Sequence, residues 1–201
     1  PPALAYTTGN VFVSAVDFGE VREYTPSGTF VRALPLPSGS VAGGTYPAGI
    51  AFDSTGHLFV ADRVQNAIFE FDATGGLVGT FASGINAAPQ SLVFDAADTL
   101  FIGTIQGAND VLVYASNGTP GTPHDVFVHA TGSMWIDLAA DQRTLLYTSN
   151  TEDVATYDLV TRTQGADLFI DADGIRDYGV RALADGAFVA NGDVVRVNAS
   201  G

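Results

Sequence analysis

The chain repeats itself about every 45 residues, and this internal period restricts the folds that it can adopt more than any other feature. Five short apolar segments align on one aromatic or leucine residue each, at Phe12, Phe59, Phe101, Leu146 and Phe188. Successive anchors lie 47, 42, 45 and 42 residues apart. An apolar stretch with a polar turn precedes each anchor, and a polar loop with an alternating stretch follows it. Each unit therefore predicts four short antiparallel strands.

A recurring set of four strands predicts an all-β fold, a β-propeller of four-stranded antiparallel blades. A β-sandwich would also give evenly spaced short strands, but its strands do not recur as similar quartets. Alternation near a period of two and β-branched or aromatic apolar positions argue against helices. We predict a single propeller domain over residues 1–201, with repeats at about 1–46, 47–88, 89–132 and 133–174 and an incomplete repeat at 175–201.

The second unit, PAGIAFDSTGHLFVADRVQNAIFEFDATGGLVGTF, resembles the NHL repeat. The matching positions are Pro47, Gly49, Ile50, Asp53, Gly56, Ala61, Asp62, Asn66, Ile68, Phe71, Asp72 and Gly75. The resemblance implies membership of a propeller superfamily that also includes gluconolactonase-like proteins, and it identifies a fold rather than an activity. Rings of this kind usually have six blades, so four complete units and a partial fifth predict a segment of a longer ring. A small five-bladed ring is the alternative.

Charge and composition narrow the possible partners. The chain has 8 basic and 22 acidic residues and a net charge of −14, which disfavours a nucleic-acid partner. It has no cysteine, which excludes disulfides and thiolate metal sites. No apolar run approaches the roughly 20 residues of a spanning helix, so no membrane span is expected. We expect an extracellular or periplasmic location, and a cytoplasmic one stays open. The oligomeric state is not predicted.

Polar loops between the second and third strands of each unit form the main candidate site. Such loops share one face of a propeller, where a protein or small-molecule ligand can contact several of them. The predicted loop face comprises Asp62, Arg63, Asn66, Asn109, Asp110, Asn150, Glu152 and Asp153. Carboxylate and amide oxygens also suit calcium, although a solvated loop needs the same residues.

Other polar positions have a structural or a functional interpretation. Asp53, Asp95, Asp141 and Asp185 recur in register after first strands, which predicts that they stabilise turns. Trp135, Asp137 and Arg181 lie on predicted inner strands and are candidates for an axial channel. Asp171, Asp173 and Asp177 form the densest acidic cluster and are a candidate calcium site, without the distal glutamate of an EF-hand. The three histidines have no zinc-site spacing.

Two classes of function fit these observations, and we favour a non-enzymatic binding or scaffold propeller because no set of catalytic residues converges. The alternative is a metal-dependent lactonase or hydrolase of the gluconolactonase-like type, with Asp53 and Asp137 as candidate metal ligands. That assignment lacks a glutamate on the first strand of the first blade. A third option is an activity like that of streptogramin lyases, whose blades resemble these, but their catalytic histidine and glutamate have no counterpart in this sequence.

Overall fold

The computed structural model describes residues 5–38, 44–107, 110–121, 124–125, 133–148, 153–167, 169–170, 179–183, 186–191 and 193–198. Nearly all regular structure in these ranges is antiparallel β-sheet, together with one short 3-10 helix at Val16–Phe18. None of the helices in the described ranges is long and apolar enough to cross a membrane. The chain forms two compact units, Pro1–Pro89 and Gln90–Gly201.

The first unit contains two sheets, blade 1 and blade 2. Blade 1 has three strands in the order β1-β2-β3, and blade 2 has four in the order β4-β5-β6-β7. Their bounds are β1 Val11–Ala15, β2 Glu20–Tyr24, β3 Phe30–Pro35, β4 Pro47–Phe52, β5 Leu58–Asp62, β6 Ala67–Phe71 and β7 Leu77–Ala82.

The second unit contains blades 3, 4 and 5. Blade 3 is four-stranded, blade 4 is built on β12-β13-β14 with both β15 and β16 paired to β14, and blade 5 has the order β17-β18-β19. The bounds are β8 Pro89–Phe94, β9 Leu100–Thr104, β10 Asp110–Tyr114, β11 His124–Asp125, β12 Trp135–Leu138, β13 Thr144–Thr148, β14 Asp153–Asp158, β15 Thr163–Gln164, β16 Phe169–Ile170, β17 Gly179–Leu183, β18 Gly186–Asn191 and β19 Asp193–Asn198.

The predicted four-stranded pattern is confirmed in blades 2 and 3, whereas blade 1 departs from it at its start. The segment ALAYTTG was expected to supply a first strand, but its described residues from Ala5 onward are not in a strand. The Tyr6 N–H donates instead to the Ala73 carbonyl of blade 2, at 3.0 Å, and the Asn10 N–H closes a turn on the Thr7 carbonyl. This short turn, residues 5–10, therefore rests against blade 2.

Aspartates in the recurring turns have the structural role that the sequence predicts. The Asp53 Oδ1 accepts backbone bonds from Thr55 and His57, at 3.0 and 2.8 Å. Asp95 and Asp141 accept equivalent pairs of bonds in blades 3 and 4. Asp185 lies outside the described residues. A carboxylate that satisfies two backbone donors stabilises a tight connection, which accounts for the recurrence.

Blades 1 and 2 share one apolar core. It includes Val21 and Leu34 of blade 1 and Leu58, Val60 and Phe71 of blade 2, all buried. Because side chains alternate along a strand, the other face of blade 1 carries Val11 and Val13, which are exposed.

Blades 3 and 4 lie in close contact at Gly103 of β9. A Cβ atom at this position would lie 2.5 Å from the Ser133 carbonyl oxygen and 3.1 Å from a methyl group of Ile136. The neighbouring Ser91 hydroxyl donates to the Met134 carbonyl and accepts from the Ile136 N–H. The absence of a side chain at Gly103 thus allows the backbone of β9 to lie against the backbone at Ser133, at the start of blade 4.

Candidate functional site

A cavity of about 350 Å³ lies between the turn of blade 1 and the turns of blade 2. Its wall includes residues 5–10 together with Phe12, Phe52, Gly56 and Ala73. β4 leads up to the Asp53–Gly56 turn and β6 leads up to the turn after Phe71, so the cavity lies at that end of the strands. Asp62 and Asn66 of the predicted loop face lie at the opposite end.

Three aromatic rings form the apolar part of the cavity. Tyr6 and Phe12 have ring centroids 5.1 Å apart, Tyr6 and Phe52 5.5 Å, and Phe12 and Phe52 5.0 Å, all in edge-to-face geometry. Such pairs contribute about 0.5–1.5 kcal/mol each beyond their burial. Phe52 is nonetheless 40% exposed, which leaves part of its ring open to a ligand.

A buried polar network lies beside these rings. Glu23 of β2 is only 1% exposed, and its two carboxylate oxygens accept from Asn10 Nδ2 and Arg32 Nε, each at 2.6 Å. Arg32 also donates to the Thr74 carbonyl of blade 2, and its guanidinium carbon lies 4.7 Å from the Tyr6 ring centroid. The network therefore joins the cavity wall to both blades.

The Tyr6 hydroxyl is buried and has no hydrogen-bond partner among the described residues. Burial raises the pKa of Tyr6 to about 12, with smaller contributions from nearby charges. The hydroxyl therefore stays protonated in the neutral range. An unsatisfied buried hydroxyl costs about 1–3 kcal/mol, so its retention calls for an explanation, and a partner supplied by a bound molecule is one.

Blade 2 has a polar pair at the positions equivalent to Asn10 and Glu23 of blade 1, with histidine in place of asparagine. His57 and Glu70 lie 47 residues after Asn10 and Glu23, respectively. His57 Nδ1 is 2.7 Å from Glu70 Oε1, and this hydrogen bond raises the pKa of His57. Glu70 is partly buried and paired with His57.

The structure places Asp62 of the predicted loop face in the protein interior. Its Oδ1 accepts from the backbone N–H groups of Tyr46, Val64 and Gln65, and its Oδ2 accepts from Gln65 Nε2 at 2.9 Å. The side chain is completely buried. The carboxylate thus organises its own loop, and a ligand role for it stays a prediction.

The other described members of the loop face also make local contacts. Asn66 adopts φ 51°, and its Oδ1 accepts from the Ala88 N–H at 3.1 Å. Arg63 lies with its guanidinium carbon 4.6 Å from the Tyr46 ring centroid. Asp110 and Asp153 are described as strand residues of β10 and β14 only, and the remaining predicted members, Asn109, Asn150 and Glu152, lie outside the described residues.

The structure brings the channel candidates Asp137 and Arg181 together within the second unit. Asp137 of β12 is buried, its Oδ2 accepts from the Ala182 N–H of β17 at 2.6 Å, and Arg181 Nε lies 3.5 Å away. This carboxylate therefore links blades 4 and 5. Trp135 packs against the apolar cluster that includes Val180.

The metal candidates Asp171, Asp173 and Asp177 lie outside the described residues, so a calcium site there stays a prediction. Within the described ranges, no three histidine, aspartate or glutamate side chains are grouped closely enough to hold an ion.

Sequence patterns alone did not mark four residues of this site: Tyr6, Asn10, Glu23 and Phe52. One signal could have found two of them: Tyr6 and Phe52 hold the same position in their repeats, each at the end of the apolar stretch before the first turn. The cavity itself depends on how neighbouring blades pack.

No protein-family model matches the chain, and no curated protein sequence matches it. Solved structures do resemble it. A streptogramin B lyase aligns with 97% of this chain at a TM-score of 0.73 and 13% identity, and the alignment covers 67% of the lyase. The virginiamycin B lyase of Staphylococcus aureus aligns with 96% at a TM-score of 0.74 and 15% identity, covering 64% of that protein.

A protein of unknown function from Bacteroides caccae aligns with 98% of this chain at a TM-score of 0.72 and 13% identity, and 77% of that protein is covered. The chain thus spans about two thirds of the length of the two lyases. At these identities the likeness shows the fold alone. Together with the antiparallel four-stranded sheets, it establishes the chain as an all-β protein of the β-propeller class.

Proposed function

We propose that the protein is a non-enzymatic binding propeller that holds a compact, mainly apolar small molecule in the cavity between blades 1 and 2. The observation that carries this proposal is the cavity of about 350 Å³ with partly exposed Phe52 in its wall. Small-molecule sites are typically concave, mostly apolar and about 300–1,000 Å³, with a few fixed polar groups. The Asn10 amide, held on Glu23, supplies such a group.

The chemistry of the cavity wall favours binding over proton transfer. Its polar side chains are the hydroxyls of Thr7 and Thr8, the Asn10 amide and Tyr6, whose pKa is about 12. None of these groups exchanges a proton readily near neutral pH. We place the ligand here rather than on the predicted loop face because the oxygens of Asp62 and Asn66 already accept bonds within the protein.

A fragment screen by ligand-observed NMR tests this proposal on the full chain. Phe52→Ala should weaken cavity binders about 5- to 30-fold, since a lost aromatic contact is worth about 1–2 kcal/mol. Phe30→Ala is the matched control, because Phe30 is also a strand phenylalanine of the first unit, 53% exposed, with an edge contact to Tyr24. Equal binding by both variants, or no binder at all, would refute the proposal.

We also propose that the repeat is of the NHL type. The second blade supports this kinship, because several motif positions have structural roles: Asp53 and Asp72 accept bonds in turns, Asp62 organises a loop, and Asn66 has a positive φ. A sequence profile built from chains that share this five-unit pattern would test the NHL assignment. If that profile did not align with NHL repeats, the assignment would be rejected.

A second candidate function is enzymatic, a lyase or a calcium-dependent hydrolase. The fold likeness to streptogramin B and virginiamycin B lyases supports it. One of the solved structures is an inactive virginiamycin B lyase with quinupristin, which makes quinupristin a natural test compound. Incubation of the full chain with quinupristin or a simple lactone, with and without calcium, should give a mass-resolved product. No turnover in any condition would reject this candidate.

A further inference from the structure

The charges around the cavity identify the class of molecule that it would hold. We propose that the ligand is a small organic cation, an alkyl or aryl ammonium with an apolar body. This inference rests on the proposed function, since it assigns the chemistry of the same cavity.

Carboxylates outnumber cations around the cavity. Glu23 is bonded to Asn10 of the wall, Asp72 precedes Ala73 of the wall, and Asp53 belongs to the same turn as Gly56. Donors from Thr74 and the Gly76 N–H lower the pKa of Asp72, so this carboxylate is ionised in the neutral range. Within a chain of net charge −14, these groups disfavour an anionic ligand and attract a cationic one.

The basic side chains that oppose these carboxylates at the cavity, Arg32 and His57, are each already bonded to a carboxylate: His57 interacts with Asp53 and Asp72 but is paired with Glu70. Arg32 donates to Glu23 at 2.6 Å and to the Thr74 carbonyl. Arg32 offsets the charge of Glu23, and His57 is paired with Glu70, so the charges of Asp53 and Asp72 are left in excess. The local charge around the cavity is therefore negative, like the net charge of the whole chain.

Aromatic rings give the cavity a surface that suits a cation. A cation over an aromatic face gains about 0.5–2 kcal/mol, depending on how fully it is desolvated. The first unit uses this contact three times with its own arginines, by placing Arg32 over Tyr6, Arg22 over Phe18 and Arg63 over Tyr46.

The remaining polar group of the wall is an acceptor. Because a carboxylate accepts only, Glu23 fixes the Asn10 amide with its Nδ2 donating. The Asn10 Oδ1 makes no hydrogen bond with a described residue, so it can accept from an ammonium N–H or contact a methylammonium group. Rings, carboxylates and an acceptor oxygen together favour an organic cation over a neutral or anionic molecule.

Calorimetric titration of the full chain tests this proposal with two molecules of equal shape: choline and the uncharged alcohol in which carbon replaces the choline nitrogen. Choline should bind about 3- to 30-fold more tightly. Phe52→Ala should weaken choline by a similar factor, whereas Phe30→Ala should not.

A charge variant separates the electrostatic contribution from the shape of the cavity. Asp72→Asn keeps the Oδ1 acceptor of its turn and removes the charge, so choline should weaken about twofold while the alcohol is unchanged. Asp17→Asn, an exposed residue beyond the other end of β1, is the control and should change neither.

The outcomes distinguish this inference from the proposed function. If the uncharged alcohol or neutral fragments bind as well as choline or better, and Phe52→Ala weakens them, the cation proposal is wrong and the binding function stands. If Phe52→Ala and Phe30→Ala bind all probes equally, or no probe binds, both fail. Tighter choline binding that depends on Phe52 and Asp72 supports both.

Discussion

Replacing Asp62 by alanine should destabilise the first unit strongly, because this buried carboxylate serves as the acceptor for an entire loop. The backbone N–H groups of Tyr46, Val64 and Gln65 all donate to its Oδ1, at 3.2, 2.9 and 2.9 Å. Each donor orphaned at this partly buried site costs about 1–1.5 kcal/mol, so three cost about 3–4.5 kcal/mol. That is a large part of the 5–15 kcal/mol that stabilises a typical domain.

Two further variants make this prediction specific. Asp62→Asn keeps an oxygen for the backbone donors but turns an NH₂ group toward Gln65 Nε2, so a loss of only about 1–2 kcal/mol is expected. Asp17→Ala removes an exposed carboxylate from the equivalent connection of blade 1 and should cost less than about 0.5 kcal/mol.

Urea unfolding followed by circular dichroism gives the global change, and hydrogen exchange of the Val64 and Gln65 amides gives the local one. A loss below about 1 kcal/mol for Asp62→Ala, or unchanged exchange of these two amides, would refute the reasoning. Such a result would also mean that the Asp62 carboxylate is not needed by its loop and could serve as a ligand-binding group.

Three further predictions concern the second unit and the polar pairs. Gly103→Ala should lower the free energy of unfolding by about 1–3 kcal/mol in urea, since its Cβ would overlap the carbonyl oxygen of the next blade. Glu70→Gln should lower the pKa of His57 toward its ordinary value of 6.5, measured by NMR titration. Because the folded pKa is raised, the pair's stabilisation is complete below pH 6.5 and is lost as pH rises through the folded value. Thr144→Val should raise the pKa of Asp141, whose depression arises mainly from bonds donated by Thr144, and NMR of the carboxyl carbon reports it. Asp141 contributes stability above its ordinary value of 3.8, and this contribution is lost as pH falls through the lower folded value.

Each of these three predictions has a result that would contradict it. Gly121→Ala has its nearest contact at 3.4 Å, so an equal loss there would show that Gly103 is not a special point of contact. An unchanged His57 titration in Glu70→Gln would remove the role of the carboxylate. Thr144→Val keeps the backbone bond that is the largest cause of the shift, so an unchanged Asp141 titration would show that the Thr144 hydroxyl does not lower the pKa of Asp141.

The strands and turns could be predicted from the sequence because their causes are local. Short apolar runs bounded by turn residues mark β5 and β6, and the aspartates of the turns satisfy backbone donors within four residues of themselves. The same information repeats in successive units, which gives the anchors Phe59 and Phe101 their common register.

The cavity could not be predicted in the same way, because it depends on contacts between units. Tyr6 lies in a segment that was expected to be a strand, but it bonds to Ala73 of the next blade instead. Glu23 reads as an ordinary charged strand residue, yet Arg32 and Asn10 allow it to be buried. Asp62 shows the reverse: a polar loop residue resembles a site residue when its bonds to the loop backbone are unknown.

The Asn10–Glu23 and His57–Glu70 pairs occupy equivalent positions in blades 1 and 2, so a pH-dependent hydrogen bond could be moved from one blade to the other. Both pairs join the same two positions of the repeat, but the amide has no proton equilibrium in the physiological range, and the imidazole does. An Asn10→His, His57→Asn exchange would therefore move the titrating group from blade 2 to the edge of the cavity and leave the composition of the chain unchanged. Because the repeat offers the same backbone position in each blade, one exchange of side chains could make the binding cavity responsive to pH without a change of fold.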